Sequence, residues 1–243
     1  MVLPCFNELR HGYLERILLN LQNQKGDKEI IFAIGSSSDR TEETIRHARP
    51  QLEQTGVVKI LQSNATNRAQ RLNCGIAAST GAVVLLHHPA TLLPEGNALV
   101  NLQTAMAQSQ SLWGGFHHRF DLEHWLLDFT SWYSNHIRTK RRGIVYLDHC
   151  IFADRKLLNR VGNVPDRDIF EDTILSDRLR QFGMPVLAKG YVTTSARRFR
   201  QRGIYKQALL NQILKLGYYC GIDPKSMNKL YERKVAINND YDD

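Results

Sequence analysis

The chain has 243 residues, with 32 Lys and Arg against 24 Asp and Glu, a net charge of +8 and a pI of about 9.4. A hydrophobic share of 42% and a charged share of 23% exclude wholesale disorder and a collagen-like repeat. No apolar run approaches the roughly 18 residues of a membrane span, and Cys5, Cys74, Cys150 and Cys220 form no CxxC pair, which argues against a disulfide framework or a thiolate zinc site.

Short β-type runs alternate with helical patterns through the first half. Met1 to Pro4 opens a strand, and Leu9, Tyr13, Ile17, Leu18 and Leu21 then recur at helical spacing. Glu29 to Ile34 reads as a strand, followed by a helix from about Arg40 with Ile45, Ala48 and Leu52 on one face. Val57 to Leu61 is a third strand, Ala69, Leu72 and Ile76 mark a helix that stops near Gly81, and Ala82 to His87 returns as a strand. Such alternation predicts an α/β fold, a parallel sheet covered on both faces, with ligands at the carboxyl ends of its strands. Further on, Gly114 to Asp121 reads as a strand, Leu122 to Ile137 as a helix and Val145 to Phe152 as a strand. A helix from about Glu171 to Phe182 is closed by Gly183, a strand covers PVLAKGYVTTS, and a basic amphipathic helix ends the chain. No linker, repeat or low-complexity tract divides it, and one domain is the simplest organisation.

Several segments could carry chemistry. The turn Gly35 to Ser38 sits between a strand and a helix, where small residues and a helix N-terminus suit an anion; Asp39 with Glu42 is equally a capping box. Arg68 and Arg71 stand near a helix start, where a guanidinium can meet phosphate or a planar base, or simply face solvent. Glu171 and Asp172 open another helix, stabilised by its dipole, and a carboxylate there could act as a general base. The pairs His87-His88 and His117-His118 offer at most one ligand each to a single site, and no HExxH spacing occurs. Arg197, Arg198, Arg200, Arg202 and Lys206 lead into an amphipathic helix that either docks on the core or meets anionic lipid, at about 1 kcal/mol per basic residue.

Taken in order, VLPCFNE, EIIFAIGSSSDRT, NRAQRLNCGIAASTGAVVLL, GIVYLDHCIF, FEDTILSDRLRQFG and TTSARRFRQRGIY resemble the family 2 glycosyltransferases, closest to a bacterial subgroup of small soluble members. The resemblance runs from Val2 to about Tyr231. It implies a GT-A fold, a Rossmann-like, mostly parallel sheet with helices on both faces, as a single domain of two halves: residues 1–95 for the nucleotide sugar and 96–243 for the acceptor. It places Pro4, Phe6, Glu8, Gly35, Asp39 and Arg68 at the nucleotide sugar, Asp148 on the acceptor side, and Asp172, in the Glu171-Asp172 dipeptide, as the base of an inverting transfer to an acceptor hydroxyl. Two positions depart from the family pattern. Ile34 stands where an aspartate usually holds the base, and Ala90 where an aspartate usually serves the Mg²⁺ or Mn²⁺ site, which leaves His88 as a weak metal ligand.

Three readings follow: an active transferase with a weakened metal site, a non-catalytic protein of the same fold that binds a sugar nucleotide or a partner, and a basic module for membrane or nucleic acid. The last rests on charge alone, and no nucleic-acid motif supports it. The N-terminus shows no signal-peptide pattern, so the expected location is cytoplasmic, with peripheral contact at an anionic membrane as an option.

Overall fold

Strand runs that are apolar along their whole length belong between two helical layers, and that is where the computed structural model places them. It describes residues 1–233, with backbone only for residues 10 and 11. The first half runs β1 (Val2–Cys5), α1 (Leu14–Gln22), β2 (Glu29–Ile34), α2 (Thr41–Glu53), β3 (Val57–Gln62), α3 (Arg68–Ala78) and β4 (Val83–Leu85). The second runs β5 (Thr91–Leu92), α4 (Ala98–Ser109), β6 (Trp113–Phe120), α5 (Trp125–Tyr133), β7 (Phe152–Asp154), α6 (Arg155–Arg160), α7 (Glu171–Leu179), β8 (Val186–Thr194), α8 (Arg197–Arg202), α9 (Ile204–Tyr219) and α10 (Pro224–Glu232).

Strands β1, β2 and β3 are parallel, with β2 central, and a second sheet has the order β4-β7-β6-β8-β5. A parallel bridge from Val2 to Leu86, just past β4, joins the two. Strands β6 and β8 are parallel, whereas β7 and β5 run antiparallel to their neighbours, so the sheet is mixed rather than wholly parallel. The period of two along β2 divides the core. Ile30, Phe32 and Ile34 pack with Leu14, Ile17, Ile45 and Leu99 on one face, and Ile31 packs with Leu72, Ile76 and Leu175 on the other. Each such fully buried side chain contributes about 1.5–3 kcal/mol.

The structure departs from the sequence reading in further places, three of which bear on the site and the core. Residues 145–151 form no strand, because α7 side chains take up the backbone: Ser176 Oγ accepts from Val145 N at 3.0 Å and Asp172 Oδ2 from Leu147 N at 2.9 Å. Helix α4, which buries Ala98, Leu99 and Leu102, has no counterpart in that reading. The single C-terminal helix is three, broken at Gly203 (φ 85°) and Gly221 (φ 72°), both in a region that favours glycine.

Candidate functional site

The ends of β4, β6 and β8 and the starts of α3, α7 and α8 surround one cavity of about 220 Å³. Of the residues to which the resemblance gives a role, Arg68, His88, Asp148 and Asp172 meet on its wall.

Arg68 is the first residue of α3, whose start is fixed by the Asn67 side chain accepting from Gln70 N at 2.9 Å. Its Nε and Nη2 lie 2.6 and 2.5 Å from Glu171 Oε1. Glu171 is only 1% exposed and does not line the cavity, so the two acids of the dipeptide separate. Glu171 holds the arginine, and Asp172 faces the open space. Burial and the neighbouring Glu171 charge push the Asp172 carboxyl up to about 6, against the opposing pull of Arg68 and the Leu147 amide.

Asp148 lies among imidazoles. His118 Nε2 is 3.6 Å from Oδ2 and His149 Nε2 is 3.9 Å from Oδ1. Burial opposes its ionisation, but the two rings and Arg138 hold its carboxyl below the usual range. Behind it runs a polar chain in which Arg138 donates to Ser134 Oγ, Ser134 Oγ meets His149 Nε2 at 2.5 Å, and His149 Nδ1 donates to the Phe116 carbonyl at 2.8 Å. Arg138 also lies over the Tyr146 ring at 3.6 Å.

His88 is arranged as a donor. The Ala90 amide hydrogen, fixed by the backbone, points at Nδ1 (3.2 Å), and the Thr91 hydroxyl lies 3.0 Å from the same nitrogen. The neutral ring, which burial holds well below its usual pKa, therefore carries its proton at Nε2. A metal-bound histidine needs the reverse, a bare ligating nitrogen with the other N–H held by an acceptor. Nor does any group of three or more His, Cys, Asp or Glu converge as a ligand set among the described residues. In this arrangement the residues present do not fit Mg²⁺ or Mn²⁺, and His88 presents an N–H rather than a bare ligating nitrogen to the cavity.

Pro4, Phe6, Glu8, Gly35 and Asp39 do not line the cavity, and among them the Phe6 amide donates to Glu8 Oε1 at 3.3 Å. Asp39 accepts from Leu9 N (3.1 Å) and Thr41 N (2.9 Å), while Glu42 pairs with Arg46, so the expected capping box is replaced by a tie between two loops. Asn7 completes that tie, accepting from Ser38 N at 2.8 Å. The Arg71 guanidinium covers the Phe6 ring at 5.1 Å, and a Cβ on Gly35 would meet Arg71 Nη1 at 3.2 Å. Burial pushes the Glu8 carboxyl up to about 7, against the charges of Arg197 and Arg71. Ile34 belongs to the core.

Sequence reasoning passed over several lining residues. Arg197, taken for a surface charge, is 8% exposed, and among the described residues no protein atom accepts from its Nη1. Burial and Arg138 bring Lys215 down to about 8. His118 and Arg138 also line the cavity. A lone basic residue in a charged stretch leaves no periodic signal; only the resemblance of the TTSARRFRQRGIY segment pointed to its neighbourhood.

The Glycosyl transferase family 2 model matches residues 1–158. The chain belongs to this family. Among solved structures, it is similar to the S. aureus protein TarS 1-349 in complex with UDP, with a TM-score of 0.62, 16% identity, and 80% of this chain and 59% of that one covered. It is similar also to the mannosyltransferase PcManGT from Pyrobaculum calidifontis in complex with GDP-Man and Mn²⁺, with a TM-score of 0.65, 17% identity, and 88% and 62% covered. At such identity the likeness is one of fold, and the family member has the GT-A architecture. The chain spans about three-fifths of the length of these two proteins, 59% and 62%. No curated protein matches it in sequence.

Proposed function

We propose that the chain transfers a sugar from a nucleoside diphosphate sugar to an acceptor hydroxyl, inverting the anomeric carbon, with Asp172 as the general base. The observation that carries this reading is the presence in one cavity of Asp172, its carboxyl raised to about 6, and the buried Arg197, whose Nη1 has no protein acceptor among the described residues. TarS was solved with UDP and with UDP-GlcNAc and PcManGT with GDP-Man, which supports a nucleotide sugar as the donor class. We read the chain as one unit, with residues 1–95 serving the donor and 96–243 the acceptor; residues 234–243 lie outside those described. All four cysteines are unpaired, in keeping with a cytoplasmic protein.

In this mechanism the acceptor hydroxyl gives its proton to Asp172 as its oxygen attacks the anomeric carbon. The bond from that carbon to the diphosphate breaks on the opposite face, and the nucleoside diphosphate leaves with the electron pair. Arg68, Arg197 and the His88 Nε2–H meet the charge that develops on it, the work a cation does where one is bound. Glu171 is a positioning residue that aims Arg68. Asp148, with His118 and His149, borders the acceptor side, and the nucleoside approaches along Pro4, Phe6, Glu8, Gly35 and Asp39, with Arg71 swinging off Phe6 to admit it.

That covered edge favours a second reading, a family member that binds a sugar nucleotide or a partner without turning over. Assays of nucleotide release and product formation over a panel of UDP- and GDP-sugars, each with acceptor candidates, decide between them. Turnover should fall about 10²–10⁴-fold in Asp172→Asn, rise with pH through about 6 and level off above it, and change less than about twofold with Mn²⁺ or a chelator. Background turnover throughout, alongside calorimetric binding of UDP or GDP, would establish the second reading.

A further inference from the structure

Two helices present apolar side chains to solvent beside the candidate site. On α9, Tyr205, Leu209, Ile213, Leu216 and Tyr219 recur at spacings of three and four and are all exposed, Tyr219 to 78%, while Gln207, Leu214 and Gly217 on the other side are buried. On α5, Trp125, Phe129 and Trp132 form a second exposed stripe, Trp125 at 63%. A groove of about 1160 Å³ lies between the helices, walled by Phe129 and Tyr133 on one side and Leu216 and Tyr219 on the other. Thr130, Arg138, Tyr146 and Lys215 line both this groove and the catalytic cavity, so one leads into the other.

The charge around these stripes is mainly positive. Helix α9 carries Lys206 and Lys215 and no acid, and α5 runs on into Arg138, Lys140, Arg141 and Arg142. The groove's one carboxylate, Asp177, is paired with Arg180 at 2.9 Å, and Asp128 is the single acid of α5. The basic run, for which docking on the core and lipid contact were both open, is largely tied to the protein. Arg198 binds Glu232, Arg200 binds Asp121 while staying exposed, and Arg202 donates to the Tyr231 carbonyl, which leaves Lys206 exposed at its end. The apolar face thus lies on the amphipathic helix that the sequence indicated, and most of the flanking charge comes from Lys215 and the Arg138 to Arg142 segment.

We propose that this face docks on an anionic lipid bilayer, with α5 and α9 in the plane of the interface and the groove opening toward the headgroups. Trp and Tyr beside long apolar side chains suit the boundary between headgroups and acyl chains, and the flanking Lys and Arg are drawn to anionic lipid. A second copy of the chain is a poorer occupant, because an isologous contact here would bring the Arg138 to Arg142 clusters toward each other. The proposal stands apart from the transferase reading, since docking requires neither a nucleotide sugar nor an intact Asp172.

Flotation of the full chain with vesicles tests it, using phosphatidylcholine alone and an equimolar mixture with phosphatidylglycerol. Wild type should float with the mixed vesicles and release at high salt. Trp125→Ser/Phe129→Ser/Trp132→Ser and Leu209→Ser/Leu216→Ser/Tyr219→Ser should each weaken partition by about tenfold or more with melting temperature unchanged. Arg141→Glu/Arg142→Glu should erase the preference for phosphatidylglycerol. Wild type that stays with neither vesicle overturns the proposal, as do serine variants that float like wild type, which would reduce the contact to charge alone. Light scattering that shows a dimer dissolved by the serine substitutions would assign the face to a second copy and overturn it too.

Discussion

A buried ion pair is harder to lose by halves than to replace whole, and Arg68 with Glu171 is such a pair. Glu171 has almost no contact with solvent, and Arg68 is mostly covered. Removing the acid alone strands the guanidinium charge. Glu171→Ala should therefore cost about 3–5 kcal/mol in urea unfolding, whereas Glu171→Gln, which keeps an oxygen acceptor, should cost clearly less. Kinetics separates positioning from proton transfer at the same residue. With Arg68 aimed less well, Glu171→Gln should raise KM for the nucleotide sugar, and with the Glu171 charge gone the rise in rate assigned to Asp172 should persist but move to lower pH. A Glu171→Gln turnover as low as that of Asp172→Asn, at every pH, would move the base from Asp172 to Glu171.

Helix α3 sits so low on β1 that a single hydrogen separates a fit from a clash. A Cβ on Gly75 would lie 2.3 Å from Val2 Cγ1, and the helix carries the cavity's Arg68 at its other end. In a free helix, Gly→Ala is favourable by about 1 kcal/mol. Here Gly75→Ala should instead destabilise by about 1–3 kcal/mol through overpacking, read as a lower melting temperature. Val2→Ala should relieve it, so that the double variant loses less than the sum of the singles. Elements of this kind were legible in the sequence because burial imposes a period: Ile30 to Ile34 as a strand, and Leu72 and Ile76 as a helix face. Residues 145–151 were not, since Val145 and Leu147 are as apolar as strand residues, yet their backbone is claimed by Ser176 and Asp172 on an element still to come in the chain. The site shows the same division. Arg68, Asp148 and Asp172 stand in recognisable segments whose family roles could be carried over, whereas Arg138, Arg197 and Lys215 gain their place at the cavity from the way the segment after α5, and helices α8 and α9, pack.

At the scale of the whole molecule, a chain with a net charge of +8 keeps four imidazoles neutral inside it. Burial lowers His87 and His149 to about 3 and also lowers His88 and His118. Unfolded, each would titrate near 6.5. Between those values the unfolded chain binds protons that the folded one refuses, so this contribution to stability is complete above about pH 6.5 and is lost as pH falls. At pH 5 a histidine held at about 3 withdraws about 2 kcal/mol. Glu8 and Asp172 act in the opposite sense, because carboxyls raised to about 7 and about 6 take up protons in the folded state first. Two such groups offset four imidazoles only in part, and their help ends once pH falls below the ordinary carboxylate range, where the unfolded chain is protonated as well. Added positive charge on an already basic chain pushes the same way. The urea midpoint should therefore drop between pH 7.5 and pH 5 and fall more steeply below pH 4.5. His87 isolates the cause, since neither of its ring nitrogens has a hydrogen-bond partner among the described residues. His87→Leu should remove about 2 kcal/mol of the loss at pH 5 while leaving the arginines and carboxylates of the cavity in place. A midpoint that stays level with pH, or a His87→Leu chain that loses as much as wild type, would show that these imidazoles take up protons without unfolding the chain.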